Sequence, residues 1–160
     1  MDIKDYLFEV PLEWFVEESY LESEAIDLNG YEPFVDPKTG NVFNDWLIKK
    51  SGWYSKRTKK YYEQIFKCEL KPRYYFQKAG FELPMHQDRG TMCSLNIVIG
   101  SDYDPITFET FTHSYKSAIL NTQKKHSVKA TKDRYIYKLS IFDISYEEAV
   151  KRYIEYQKKI

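Results

Sequence analysis

The sequence predicts a mainly β fold, a closed or double-sheet structure with helices at its flanks. From residue 73 onward, seven short runs rich in β-branched and aromatic residues alternate with turn residues. The gaps between these runs are too short for the crossover helices of a doubly wound sheet, so an all-β closure is the better match. The chain of 160 residues is 42% hydrophobic and 18% aromatic, enough to bury a real core as one domain over 1–160 and too apolar for disorder.

Taken in order, residues 1–70 form an N-terminal support region that reads as helical or irregular. Residues 10–28 carry Leu12, Phe15, Val16 and Tyr20 at roughly helical spacing, and Asn29-Gly30 stops the pattern. Asp36-Pro37-Lys38-Thr39-Gly40 is a turn by its proline and glycine. Asn44 is placed to cap a short helix through Trp46, Leu47 and Ile48. The strand runs are 73–77, 81–88, 93–99, 106–111, 117–120, 126–129 and 135–142, and with their turns they make a β core over 71–144. Asp102 and Asp104 are turn residues. Residues 145–160 form a C-terminal helix. Ser145 with Glu148 is its capping box, and Tyr146, Ala149, Val150, Tyr153 and Ile154 share the face that packs on the sheet.

Composition excludes some functions. Lys+Arg and Asp+Glu balance at 24 each, so no global field favours nucleic acid or an anionic membrane. No apolar run approaches the roughly 20 residues of a spanning helix. The acidic start Met1-Asp2-Ile3-Lys4-Asp5 lacks a signal-peptide core, which points to the cytoplasm. Cys68 and Cys93 match no zinc or redox spacing and read as buried thiols.

The chemistry-bearing stretch is Leu83-Pro84-Met85-His86-Gln87-Asp88, followed by His126 and Arg134. Residues two apart in a strand point the same way, so His86 and Asp88 face one side together while Gln87 turns away. His126 lies 38 residues after Asp88, about the length needed to fold back beside them. Two imidazoles and one carboxylate cap one face of an octahedral metal and leave the opposite face open, the arrangement of non-heme Fe(II) oxygenases. Arg134 opens an apolar run and, if it points inward, requires an anionic partner. Its planar fork suits a carboxylate.

These residues resemble a known family. Arg73, then Gly80 through Asp88, Ser94-Leu95-Asn96, Leu120-Asn121-Thr122, His126-Ser127-Val128 and Arg134 look like the Fe(II)/2-oxoglutarate-dependent oxygenases, near the prolyl and aspartyl/asparaginyl hydroxylases of small bacterial and phage type. The likeness covers roughly residues 73–142. It implies a double-stranded β-helix, or jelly roll, with Fe(II) held by His86, Asp88 and His126. It implies Arg134 on the distal carboxylate of 2-oxoglutarate, O2 as the second cosubstrate, and Asn96 and Tyr75 lining the cosubstrate pocket, with Tyr74 or Gln77 as alternatives to Tyr75. The implied activity is a dioxygenase that hydroxylates a C–H bond and releases succinate and CO2. Ile136 stands where many members carry Ser or Thr, and Leu83 where prolyl hydroxylases often carry Tyr.

Other candidates weigh less. His113, 25 residues after Asp88, is an alternative distal ligand, disfavoured because no arginine follows it at a useful distance. The basic cluster Lys49, Lys50, Lys56, Arg57, Lys59 and Lys60 is interleaved with Trp53, Tyr54, Tyr61 and Tyr62. Such a pattern can bind nucleic acid, but a solvated face whose aromatics enter the core is preferred. A non-catalytic jelly-roll binding module is the remaining alternative.

Overall fold

Two antiparallel sheets face one another, and three helices cover the outer side of the larger sheet. The structure is a computed structural model and describes residues 2–100 and 104–160; Asp102 lies outside them. The larger sheet has seven strands, β1 (Leu7–Glu9), β2 (Tyr31–Val35), β3 (Val42–Lys50), β4 (Leu70–Gln77), β6 (Cys93–Ile99), β9 (Ser117–Leu120) and β11 (Arg134–Ile141). Their order is β1-β9-β6-β11-β4-β3-β2. The smaller sheet has β5 (Glu82–His86), β7 (Ile106–Phe108), β8 (Thr112–His113) and β10 (His126–Lys129), in the order β5-β10-β7-β8.

Side-chain alternation divides the interior in two. On β11, Tyr137, Leu139 and Ile141 enter the core under the helices, whereas Arg134, Ile136 and Lys138 line a cavity between the sheets. On β6, Leu95, Ile97 and Ile99 face the helices, and Asn96 faces the cavity. A second apolar cluster of Val98, Ala118 and Leu120 against Ile106, Phe108 and Val128 closes the sandwich beyond the cavity.

The helices are α1 (Glu18–Ile26), α2 (Trp53–Phe66) and α3 (Tyr146–Lys158). α2 buries Tyr54, Thr58, Tyr62, Ile65 and Phe66 along one stripe. No side chain of its own caps its start. Glu24 of α1 does so instead, accepting from the amides of Tyr54 (2.8 Å) and Ser55 (3.0 Å) and from the Tyr74 hydroxyl (2.7 Å). Gly52 leaves the room, since a Cβ there would stand 2.5 Å from Glu24 Oε2. α3 opens as expected, with Ser145 Oγ accepting from the Glu148 amide (3.1 Å).

The first seventy residues depart from the helical or irregular expectation. Residues 42–50 are strand β3, not a helix capped at Asn44, because pairing to β2 and β4 on both sides outweighs a local signal that fits either state. The turn at 36–40 is real and joins β2 to β3, with the Gly40 amide donating to Asp36 O (2.8 Å). Pro33 is tolerated because β2 is an edge strand. The first helix spans only Glu18–Ile26. Pro11 holds Val10 extended, and the Val10 amide continues the β1 pairing by donating to Ser117 O (3.0 Å). The run expected at 106–111 is strand only over Ile106–Phe108 (β7), and β8 begins after it at Thr112. Asp104 accepts from the amide and hydroxyl of Thr131 (3.0 and 2.7 Å), and both cysteines are free thiols.

Candidate metal centre and adjoining cavity

β5 and β10 are neighbours in the smaller sheet, and His86 and His126 are direct partners across them, with ring centroids 4.5 Å apart. The register slips between His126 and Val128, a bulge of the kind that re-aims a side chain. Two residues past His86, the Asp88 amide donates to Thr122 O (3.0 Å). That bond carries the strand direction on far enough to keep the carboxylate on the histidine side.

Each imidazole is oriented by a carbonyl two residues before it. His86 Nδ1 donates to Pro84 O (2.7 Å) and His126 Nδ1 to Lys124 O (2.7 Å). A carbonyl oxygen only accepts, so in the neutral rings the proton sits on Nδ1 and Nε2 presents its lone pair. Both Nε2 atoms face the same carboxylate oxygen, Asp88 Oδ1, at 3.3 Å from His86 and 3.5 Å from His126. One ligand atom from each of the three residues lies within 4.8 Å of the others. Three converging acceptors repel one another until a cation sits between them, and a carbonyl behind each imidazole is the usual backing of a metal ligand.

The other Asp88 oxygen, Oδ2, accepts from Lys138 Nζ (2.7 Å). Burial would raise the Asp88 carboxyl, but the Lys138 ammonium, with His126 and His86 beside it, outweighs that and holds the group well below the usual carboxylate range. Burial likewise opposes the Lys138 charge, and Asp88 outweighs that, so the ammonium titrates above its ordinary value.

Beside this cluster the two sheets enclose a cavity of about 70 Å³, room for several waters. Arg134 forms its far wall. The residue is 7% exposed, with Nη1 of its guanidinium donating to Gln77 Oε1 (3.5 Å). Its Nε and Nη2 have no hydrogen-bond partner among the described residues. Burial pushes the guanidinium below its ordinary value, and Tyr115 and Asp104 offset part of that. Gln77 is held by its own amide, which donates to Phe81 O (2.9 Å) and Val128 O (2.8 Å), so its oxygen is aimed at Arg134. Asn96 donates to the Tyr115 hydroxyl (3.3 Å) and accepts from Ser94 Oγ (2.8 Å). Tyr75 stacks on Trp46 at 5.6 Å.

The structure therefore gathers His86, Asp88, His126, Arg134, Asn96 and Tyr75 around one cavity. It also settles strand parity on β4, where Tyr75 and Gln77 line the cavity and Tyr74 turns to the helix side. His113 is elsewhere, 3.2 Å from Glu9 Oε2. Sequence reading missed Lys138 and Tyr115. Lys138 carried a usable signal, a charge two pairs of positions after Arg134 in an apolar strand, hence on the same face. Tyr115 carried none.

Comparison with known proteins agrees with this architecture. No family model matches the chain, and no curated protein matches it by sequence. Among solved structures, a 2OG-Fe(II) oxygenase family oxidoreductase from Burkholderia pseudomallei is similar, with a TM-score of 0.56 at 12% identity over 85% of this chain and 84% of that one. A prolyl-4-hydroxylase from Pseudomonas putida gives a TM-score of 0.55 at 12% identity over 79% of this chain and 82% of that one. The fold is the jelly roll. At such identities the likeness is one of fold alone.

The basic cluster falls partly on α2, whose Tyr54 and Tyr62 are buried and whose Tyr61 stacks on Phe15 at 4.8 Å. Of the four interleaved aromatics only Trp53 is largely exposed, at 73%, which leaves little for stacking bases. No helix among the described residues is long and apolar enough to cross a membrane.

Proposed function

We propose that the chain is an Fe(II)- and 2-oxoglutarate-dependent dioxygenase that hydroxylates a C–H bond of a protein residue or small molecule, releasing succinate and CO2. The observation that carries this reading is a pairing of unmet needs across one cavity. At one end, two imidazole Nε2 atoms and a carboxylate oxygen, each able to accept, converge. At the other, a buried guanidinium keeps two donors unpartnered. A divalent metal answers the first need and a carboxylate the second. A dicarboxylate that also chelates the metal spans both.

In this reading His86 Nε2, His126 Nε2 and Asp88 Oδ1 hold the iron. The donor set fits, because two imidazoles with fixed tautomers and one ionised carboxylate suit Fe(II) and leave coordination positions for other ligands. Iron with 2-oxoglutarate and O2 supplies the oxidising chemistry when bound. The protein's own residues orient and shield. Arg134 binds the distal carboxylate, Gln77 fixes the guanidinium plane, and Asn96 and Tyr75 bound the cosubstrate. Trp46, Leu83 and Ile136 supply an apolar wall that limits water near the metal.

The test is turnover of 2-oxoglutarate without added substrate. Slow succinate formation that needs both Fe(II) and O2, and that is lost in His126→Ala, is the expected result. Folded, iron-loaded protein that forms no succinate would overturn the reading.

A further inference from the structure

Lys138 does not belong to the triad, yet its Nζ donates to Asp88 Oδ2 at 2.7 Å. It lies on β11 opposite Asn96 of β6 and reaches across the gap between the sheets to Asp88. The two side chains are only 15% and 12% exposed. Its ammonium sits 5.4 Å from the Tyr75 ring centroid, so one side is occupied by an aromatic face and the other by Asp88 Oδ2. Withdrawing an ammonium from water is costly, and only a matched anion recovers that cost. Asp88 is the sole carboxylate in salt-bridge contact with it among the described residues.

We propose that Lys138 is a positioning residue for the metal, an internal counter-ion that neutralises Asp88 before the metal arrives and holds its Oδ2 so that Oδ1 alone faces the two imidazoles. This rests on the metal-centre reading above. Two consequences follow from the geometry. The carboxylate cannot chelate through both oxygens without giving up Lys138, so one coordination position that a bidentate Asp88 would fill stays free for cosubstrate. A divalent ion at the triad must also share Asp88 with a fixed positive charge a few ångströms away in a poorly solvated site, where like charges repel strongly. An ordinary outer partner raises the basicity of a ligand and tightens the metal. A cationic partner on the same carboxylate does the reverse, so this site trades metal affinity for an open coordination sphere.

The sign of that effect separates it from a merely structural role, because damage to the fold loosens a metal and removal of a repelling charge tightens it. The experiment titrates Mn(II) into full-length wild type, Lys138→Met and Lys138→Gln, and then titrates 2-oxoglutarate into the Co(II)-loaded forms while following the visible Co(II) spectrum. Both neutral variants are expected to bind Mn(II) about tenfold or more tighter than wild type. The affinity of the Co(II) form for 2-oxoglutarate is expected to fall about tenfold in Lys138→Met, where Asp88 is free to chelate. It is expected to fall less in Lys138→Gln, whose amide still donates to Oδ2. Mn(II) affinity unchanged or weakened in both folded variants would overturn the inference while leaving the metal reading intact. Wild-type protein that binds no Mn(II) would overturn both.

Discussion

His126 stands directly opposite His86 across the β5–β10 pair, and the register of that pair slips by one residue immediately afterwards. The pairing brings two imidazoles to a 4.5 Å centroid separation, and both Nε2 atoms face Asp88 Oδ1. Three side chains that can each offer a lone pair to one cation converge there, and the metal-centre reading grows from that convergence.

Replacing either imidazole should therefore remove the metal and spare the fold. His86→Ala and His126→Ala are expected to lose about a hundredfold or more in divalent-metal affinity, with the far-ultraviolet circular dichroism of the metal-free protein unchanged. Calorimetric titration with Mn(II) reads the first and the dichroism the second. Retained affinity in either variant would move the ligands elsewhere.

Arg134 should show a trade between function and stability. Its guanidinium is buried with two donors unpartnered, a cost the ligand-free protein carries. Arg134→Met is expected to raise the 2-oxoglutarate requirement at least about tenfold and to leave metal affinity unchanged. It is also expected to stabilise the ligand-free fold by about 1–3 kcal/mol, as replacing buried charge by an apolar side chain often does. Urea unfolding measures the stability, and steady-state succinate formation the requirement.

The link from α1 to α2 should matter to the fold and not to the chemistry. Glu24 accepts two amides at the start of α2 and the Tyr74 hydroxyl, so Glu24→Ala should cost about 2 kcal/mol. Gly52→Ala should act through the same contact, because its Cβ displaces the Glu24 carboxylate. Both are expected to lower the melting temperature with metal affinity unchanged. Full stability in both would mean that the carboxylate does not cap the helix.

Acid should find Asp88. The folded carboxyl titrates below its ordinary value, so its ionised form stabilises the fold at any pH above the unfolded value of about 3.9. That contribution is withdrawn as pH falls from there toward the folded value. Denaturant unfolding of the metal-free protein between pH 3 and about 6 should show a steeper loss toward acid in wild type than in Asp88→Asn. Equal slopes would contradict the direction.

How much of this was legible in the sequence depends on how local the determinant is. His86 and Asp88 were readable because strand parity is a property of adjacent residues. Arg134 was readable because a cation opening an apolar strand needs a partner. Lys138 sat in the same strand with the same parity and was passed over, since only the fold brings β11 across from the residues after β5. β3 was unreadable for the opposite reason. Trp46, Leu47 and Ile48 suit a helix or a strand, and neighbours on both sides decide. The basic, aromatic stretch that forms α2 reads as a solvated face whose aromatics enter the core, as Tyr54 and Tyr62 do; the helix itself is missed, although Tyr54, Thr58 and Tyr62 recur at helical spacing.

The most direct measurement is the visible spectrum of the protein under anaerobic conditions with Fe(II) and 2-oxoglutarate. A weak charge-transfer band is expected that requires both additions, disappears in His126→Ala and needs far more 2-oxoglutarate in Arg134→Met. Folded wild-type protein saturated with both and showing no such band would contradict the proposal that the His86, Asp88 and His126 cluster and the Arg134 cavity form one metal and cosubstrate site.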